Sequence, residues 1–96
     1  MHSHLAKMIG QYVLEQRTKL NILQKELAEE LEISAQFLGR IERGDVMIPE
    51  PVLLKSIEIL ELNEKRMVQI YRAAAGLSAQ SLFEQTKKKT KRGKRA

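Results

Sequence analysis

Residues 24–44 read QKELAEELEISAQFLGRIERG, and this stretch decides the fold. The apolar residues in its first part recur at the spacing of one helical face and predict a helix over residues 24–31. A tight turn follows, after which Ser34 is a favoured N-cap residue for a second helix. Gly44 is a favoured residue directly after a helix C-terminus, so we expect the second helix to end before it. The stretch therefore predicts two short helices joined by a turn.

The sequence on both sides of this stretch also predicts helices. The apolar rhythm of the N-terminal part predicts a first helix from Leu5 to about Lys19. Proline is tolerated in the first turn of a helix, so Pro49 and Pro51 mark the start of a fourth helix. We expect that helix to bury an apolar stripe made of Leu53, Ile57 and Leu60.

The C-terminal part completes the predicted architecture. Asn63 is expected to cap a fifth helix, which ends at Gly76. This helix has a wide apolar arc made of Met67, Val68, Ile70, Tyr71 and Ala74. Residues 77–86 predict a short sixth helix, and residues 87–96 predict a disordered basic tail. No segment alternates in the manner of a strand, so we expect an all-α protein with a compact five-helix domain over residues 5–76.

The positive charge is concentrated at the C-terminus. The chain has a formal net charge of +5, but residues 87–95 contain seven basic side chains and no acidic one. Residues 1–86 therefore carry 10 basic and 12 acidic side chains, a net charge of −2. A nucleic-acid surface on the folded part must then depend on a few well-placed cations and helix N-termini. The tail either contacts phosphates without sequence preference or only keeps the protein in solution.

Length and composition exclude several classes of protein. Ninety-six residues are enough for one domain with a modest core. The absence of cysteine excludes disulfides, thiolate zinc ligands and a thiol nucleophile, and it favours a cytoplasmic protein. No apolar run approaches the roughly 18 residues of a membrane span, and the N-terminus lacks the pattern of a signal peptide. We expect a soluble protein that does not insert into a membrane.

Residues suited to metal binding or catalysis are few. The histidines are His2 and His4, and no third ligand lies near them in sequence, so a leader segment explains them better than a metal site. Asp45 is the only aspartate of the chain. We therefore expect no metal, no cofactor and no enzymatic activity.

Residues 24–44 resemble the helix-turn-helix of the phage-repressor family, the Cro/C1 or Xre-type regulators. The matching residues are Gln24, Leu27, Ala28, the apolar Leu31 before the turn, Ile33, Ser34, and the closing run Ile41, Glu42, Arg43 and Gly44. The resemblance extends from about residue 8 to about residue 60. It implies a DNA-binding transcription regulator whose second motif helix, the recognition helix, lies in the major groove.

A helix in the major groove presents its outward residues to base edges. These residues are Ala35, Gln36, Gly39 and Arg40. A glutamine amide can form two hydrogen bonds with adenine, and the arginine fork matches the two acceptors of guanine. Ala35 would contact a thymine methyl group or simply permit close approach. The alternative is that these side chains form an ordinary solvated face.

The resemblance also implies phosphate contacts and a salt bridge. Gln24 is expected to bind a phosphate at a helix N-terminus, where the helix dipole attracts anions. Further phosphate contacts are expected from Lys25, Ser34 and Arg43, with Lys19 as an additional candidate. The family pairs an arginine and a glutamate at the positions of Arg17 and Glu42, and this salt bridge sets the angle between two helices. The alternatives are an ordinary helix-start residue for Gln24 and two unrelated surface charges for the pair.

Two positions depart from the family pattern. Leu23 stands where a serine or threonine usually caps the first motif helix, so the cap is absent or comes from Asn21. Glu32 stands where the family has a glycine in the turn. A non-glycine residue with positive φ costs on the order of 1 kcal/mol, which leaves the geometry of the turn open.

The segment from helix five to residue 86 does not show whether the protein binds a second copy of itself or another protein. Its large apolar side chains either complete a small core or form a two-fold interface: Met67, Ile70, Leu77, Leu82 and Phe83. Regulators of this kind commonly bind two half-sites as dimers. The leading interpretation is therefore a homodimeric repressor that binds a palindromic double-stranded DNA operator. Activation of transcription is compatible with the same architecture. The competing interpretation is a protein-interaction module, such as an antitoxin subunit or a bridging coactivator, that binds a protein partner through helices five and six.

Overall fold

The computed structural model describes residues 4–76, and all regular structure in that range is helical. The helices follow in the order α1 (His4–Lys19), α2 (Gln24–Leu31), α3 (Ala35–Arg43), α4 (Glu50–Ile59) and α5 (Glu64–Ala74). The predicted all-α, five-helix architecture is confirmed. The predicted sixth helix over residues 77–86 and the basic tail over residues 87–96 lie outside the described residues, as does His2.

The helix-turn-helix formed by α2 and α3 is mounted on α1. The inner face of α1 buries Ile9 and Val13 and packs against α3 and α5. Leu27 of α2 and Leu38 of α3 are both 0% exposed. The core therefore lies directly behind the helix-turn-helix, where each buried leucine of this size contributes about 1.5–3 kcal/mol.

Gly10 brings the backbones of α1 and α3 into contact. A Cβ atom at this position would overlap the carbonyl oxygen of Ile41, and it would lie 3.0 Å from the carbonyl oxygen of Glu42. Glycine, which has no Cβ atom, is the residue that permits so close an approach. The position of α3 relative to α1 is therefore set at the level of the backbone.

The ends of α1 to α4 share one geometry. Each helix is followed by a residue in the left-handed region: Asn21 (φ 59°), Glu32 (φ 60°), Gly44 (φ 78°) and Glu61 (φ 54°). The next amide donates to the carbonyl five residues earlier, as Ile33 does to Ala28 at 3.0 Å. Glu32 thus adopts the conformation expected of the family's glycine, and the turn closes at a local cost on the order of 1 kcal/mol.

The predicted caps of α3 and α5 are present. Ser34 Oγ accepts a hydrogen bond from the Phe37 amide at 3.0 Å, and Asn63 Oδ1 accepts one from the Arg66 amide at 3.0 Å. Each cap satisfies an amide that has no partner inside its helix. These local bonds explain why both helices start where the sequence indicated.

The side-chain cap of α2 is absent, which is one of the two possibilities considered for it. Leu23 forms no side-chain cap, and Asn21 ends α1 with a left-handed backbone. Instead the side chain of Glu26 reaches back, and its Oε1 accepts a hydrogen bond from the Leu23 amide at 2.9 Å. This bond is one half of a capping box, and it needs no serine or threonine at the N-cap.

The predicted buried stripe of α4 is wrong in part. Leu60 is fully buried, but Ile57 is 37% exposed, and the residues that α4 itself buries are Val52 and Ser56. Ser56 Oγ donates to the Val52 carbonyl at 2.8 Å, which satisfies the hydroxyl inside the core. Periodicity favoured the more apolar stripe because a serine counts as polar, although its hydroxyl can be paired within its own helix.

Candidate nucleic-acid interface

One side of α3 is exposed and carries polar side chains. Ala35, Gln36 and Arg40 are exposed, and Ser34 is exposed directly before the helix begins. On the other side Leu38 and Ile41 are buried in the core. The side chains expected to face base edges therefore lie on a solvent-accessible surface, with the exception of Gly39.

Gly39 corrects the sequence-based expectation that it faces outward. It is buried, and a Cβ atom added to it would lie 3.3 Å from Arg43 Nη1 and 3.5 Å from Gln24 Nε2. Both atoms are at the ends of side chains that extend across the helix at this point. The glycine therefore provides the space in which these two side chains approach α3.

Glu42 joins α3 to both preceding helices. Its Oε2 lies 2.6 Å from Arg17 Nε, its Oε1 lies 3.3 Å from Arg17 Nη2, and the same Oε1 accepts a hydrogen bond from Gln24 Nε2 at 2.9 Å. Arg17 Nη1 also donates to the Ile22 carbonyl in the turn between α1 and α2, at 2.9 Å. The carboxylate thus connects α1, that turn and the start of α2 to the end of α3.

The ion pair of Arg17 with Glu42 is buried, which increases its effect on stability. The Arg17 and Glu42 side chains are 12% and 4% exposed, so the ion pair is largely removed from water. A buried carboxylate that loses its cation typically costs 3–5 kcal/mol, whereas an exposed pair contributes about 0–1 kcal/mol. The pair therefore holds α3 at a defined angle to α1.

Gln24 lies where the resemblance implied a phosphate contact, but part of its amide is engaged inside the protein. Its Nε2 donates to Glu42, and the side chain as a whole is half-buried at the first residue of α2. The α2 N-terminus has free backbone amides beside it, as every helix N-terminus does. A phosphate at this place would therefore be bound by the helix terminus together with the remaining polar atoms of Gln24.

The cations around the helix-turn-helix are exposed. Lys19 ends α1, Lys25 lies in the first turn of α2, and Arg40 and Arg43 lie on α3. Arg43 also forms an exposed ion pair with Asp45, with 3.1 Å between Nε and Oδ2. Because that pair is exposed, it competes only weakly with a phosphate group.

Two residues of this region were missed by sequence reasoning. Gly10 was overlooked although a glycine within a helix costs about 1 kcal/mol relative to alanine and often has a packing reason. Phe37 was also overlooked, and it is half-buried at the start of α3. It lines a shallow depression together with Ser34, Gln36 and Arg40. An aromatic residue in the first turn of α3, beside the polar residues expected to face DNA, was the signal that could have identified it.

Within residues 4–76, no helix has the length and apolar character required to cross a membrane. In the same range, no three potential ligand side chains of histidine, aspartate or glutamate lie together as a metal site would require.

Solved structures of two bacterial regulators share this fold. One is the restriction-modification controller protein C.AhdI from Aeromonas hydrophila, with 24% sequence identity and a TM-score of 0.57 over 65% of this chain and 94% of that chain. The other is the clp gene regulator ClgR from Corynebacterium glutamicum. One ClgR structure matches at 24% identity and a TM-score of 0.60, covering 75% of this chain and 90% of that chain. Another matches at 20% identity and 0.61, covering 92% and 87%.

Sequence comparison identifies the family. No curated protein matches the chain in sequence. The helix-turn-helix family model matches residues 13–64, which is more than half of the chain and includes α2, α3 and α4. The chain therefore belongs to the Cro/C1-type helix-turn-helix family and has the fold of its DNA-binding transcription regulators.

Proposed function

We propose that the protein is a sequence-specific transcription regulator that binds double-stranded DNA with α3 in the major groove. The observation that carries this proposal is the contrast between the two sides of α3. Gln36 and Arg40 are exposed, while Glu42 is buried in its contact with Arg17 and Gln24. Base readout requires side chains that are presented at a fixed angle. α3 meets that requirement, because its buried side is fixed by contacts with the other helices and its exposed side carries polar residues.

Each polar residue of the surface has a role in this proposal. Gln36 pairs with adenine, Arg40 pairs with guanine, and Ala35 contacts a thymine methyl group or permits close approach. Phosphate contacts come from Gln24, Lys25, Ser34 and Arg43. We assign no base contact to Gly39, because side chains cover it. The ion pair of Arg17 with Glu42 orients the helix without contacting DNA.

We propose further that the protein acts as a homodimeric repressor on a palindromic operator. Val68 and Tyr71 support a two-fold contact through α5, because they lie one turn apart and are 39% and 43% exposed. Ile70, which the sequence offered as an interface residue, is 2% exposed and belongs to the core. Two copies related by a two-fold axis would present α3 to half-sites about 34 Å apart.

The basic residues 87–95 have a sequence-independent role in this proposal. Lysine and arginine side chains release counterions from DNA when they neutralise phosphates, so the tail would strengthen binding to any sequence. The protein would act in the cytoplasm, beside the DNA that it regulates.

Selection of bound sequences from a random duplex pool, with the full chain, tests the proposal. We expect enrichment of a motif with two-fold symmetry. Arg40→Ala should lose about 1–3 kcal/mol of binding free energy on that site and relax discrimination at one base pair. The matched control Lys55→Ala removes the same charge from α4, and it should leave the motif unchanged.

Two outcomes would contradict parts of this proposal. A pool without enrichment above non-specific binding would contradict sequence-specific recognition and favour the protein-interaction module. An Arg40→Ala variant with the parent's sequence preference would exclude Arg40 from the base-reading residues.

A further inference from the structure

The N-terminal end of α3 contains a shallow depression of about 320 Å³, lined by Ser34, Gln36, Phe37 and Arg40. Ser34, Gln36 and Arg40 are polar or charged, and all three are exposed. Phe37 is half-buried and forms the apolar wall of the depression. The proposed function assigns a DNA contact to each of the other three residues and none to Phe37.

Phe37 is held more firmly than the polar residues around it. Its side chain packs against the hydrophobic core, and its amide donates to Ser34 Oγ at 3.0 Å. Gln36 and Arg40 have long exposed side chains that can adjust to a base pair by rotation. The apolar wall therefore has a defined position relative to α3, and a base edge approached by this end of α3 would meet the wall there.

The chemistry of the major groove restricts what can lie against such a wall. Base edges there present hydrogen-bonding groups and one apolar group, the 5-methyl group of thymine, which 5-methylcytosine shares. A polar edge placed against an aromatic ring loses hydrogen bonds to water without replacing them. A methyl group, in contrast, gains free energy when it leaves water.

We propose that Phe37 is a specificity-determining residue that recognises the 5-methyl group of a pyrimidine, beside the base pairs contacted by Gln36 and Arg40. The inference rests on the proposed function, because it requires α3 to lie in the major groove. The methyl group comes from thymine in unmodified DNA or from 5-methylcytosine in methylated DNA, and the contact is the same for both.

The test uses the full, unmodified chain and the DNA site obtained by selection. Each thymine of one half-site is replaced in turn by deoxyuridine, which removes only the methyl group. We expect the replacement to weaken binding about fourfold at one position, as exposure of one methyl-sized group would. In a second arm each cytosine is replaced by 5-methylcytosine. Stronger binding at one position in this arm, without a thymine effect, would assign the contact to methylated cytosine.

Variants connect the methyl effect to the residue. Phe37→Ala should abolish the difference in binding between the methylated and the unmethylated pyrimidine. Leu54→Ala, the matched control, removes an exposed apolar side chain from the outer side of α4 and should retain the difference. Phe37→Leu keeps an apolar wall and should retain part of the difference. Thermal unfolding of each variant, measured alongside, separates loss of the contact from loss of the fold.

The outcomes distinguish this inference from the proposed function. Selection of a DNA site that is insensitive to every pyrimidine methyl group would overturn the role of Phe37 and leave the regulator intact. A full methyl effect in Phe37→Ala would also overturn that role. If the chain selected no sequence at all, both the proposed function and the role of Phe37 would be refuted.

Discussion

Two helices that flank the helix-turn-helix, α1 and α4, support it in different ways. α1 touches α3 at Gly10 through the backbone and at Arg17 through a buried ion pair. The buried residues of α4 are Val52 and Ser56, and its Leu54 is 60% exposed. The difference teaches that α1 sets the orientation of α3, while α4 closes the core with less buried surface. Substitutions in α1 should therefore disturb the protein far more than substitutions on the outer side of α4.

Arg17→Met should have the largest effect on stability. It leaves the Glu42 side chain, which is 4% exposed, without its guanidinium, and we expect a loss of about 3–5 kcal/mol in the free energy of unfolding. The double variant Arg17→Met with Glu42→Leu should recover most of this loss, because no buried charge remains. Urea denaturation measures both. A single variant as stable as the parent would show that the pair does not anchor α3.

Gly10→Ala should have the next largest effect. The added Cβ would overlap the Ile41 carbonyl oxygen, so we expect a loss of about 2–3 kcal/mol despite the better helix propensity of alanine. Gly39→Ala is the matched control, since its Cβ meets only the ends of side chains, the nearest being Arg43 Nη1 at 3.3 Å. That variant should be as stable as the parent or more stable. Equal behaviour of the two variants in urea denaturation would contradict the tight backbone contact of α1 with α3.

Glu32→Gly should stabilise the turn within the helix-turn-helix. It removes a side chain from a residue with φ 60°, and we expect the free energy of unfolding to rise by about 1 kcal/mol. The ion pair lost with Lys55 is exposed and contributes little. Glu29→Gly, in the regular part of α2, should instead lower stability by about 1 kcal/mol. Chemical denaturation that finds no gain for Glu32→Gly would mean that the turn carries no strain.

Leu54→Ser should have the smallest effect, below about 0.5 kcal/mol in the free energy of unfolding, since the side chain is mostly in water already. Val52→Ala, on the buried side of the same helix, should cost about 2 kcal/mol. Thermal unfolding of both variants at two protein concentrations measures this difference in stability. A loss in Leu54→Ser that appears only at high concentration would show that a second copy covers α4.

The parts of the fold that could be predicted from the sequence depend on local interactions. Ser34 caps α3 through the amide of Phe37, and residues 24–31 bury one face of a single short helix. Such signals span only a few residues, so the chain displays them directly. The proximity of Arg17 to Glu42 is different, because these residues are 25 positions apart. That pair was accessible only through resemblance to a known family.

The parts that could not be predicted depend on which helices meet. Gly10 is an ordinary interior glycine until α3 lies against it, and Gly39 is an outward residue until Gln24 and Arg43 extend over it. The buried side of α4 was equally ambiguous, because Ser56 lies on it. Periodicity shows that a helix has a buried side. It does not identify which helix packs against that side or which residues lie at its centre.

The stretch from residue 24 to residue 44 by itself determined two helices, the turn between them and the Ser34 cap of α3, since propensity and hydrogen bonding act within a few residues. Only the tertiary structure decided how α3 is held and what its surface presents. Close packing against α1 requires Gly10, the buried carboxylate of Glu42 requires Arg17 and Gln24 together, and the core fixes Phe37 beside the polar face of α3. These features arise from contacts between distant parts of the chain, whose geometry depends on the packing of all the helices together.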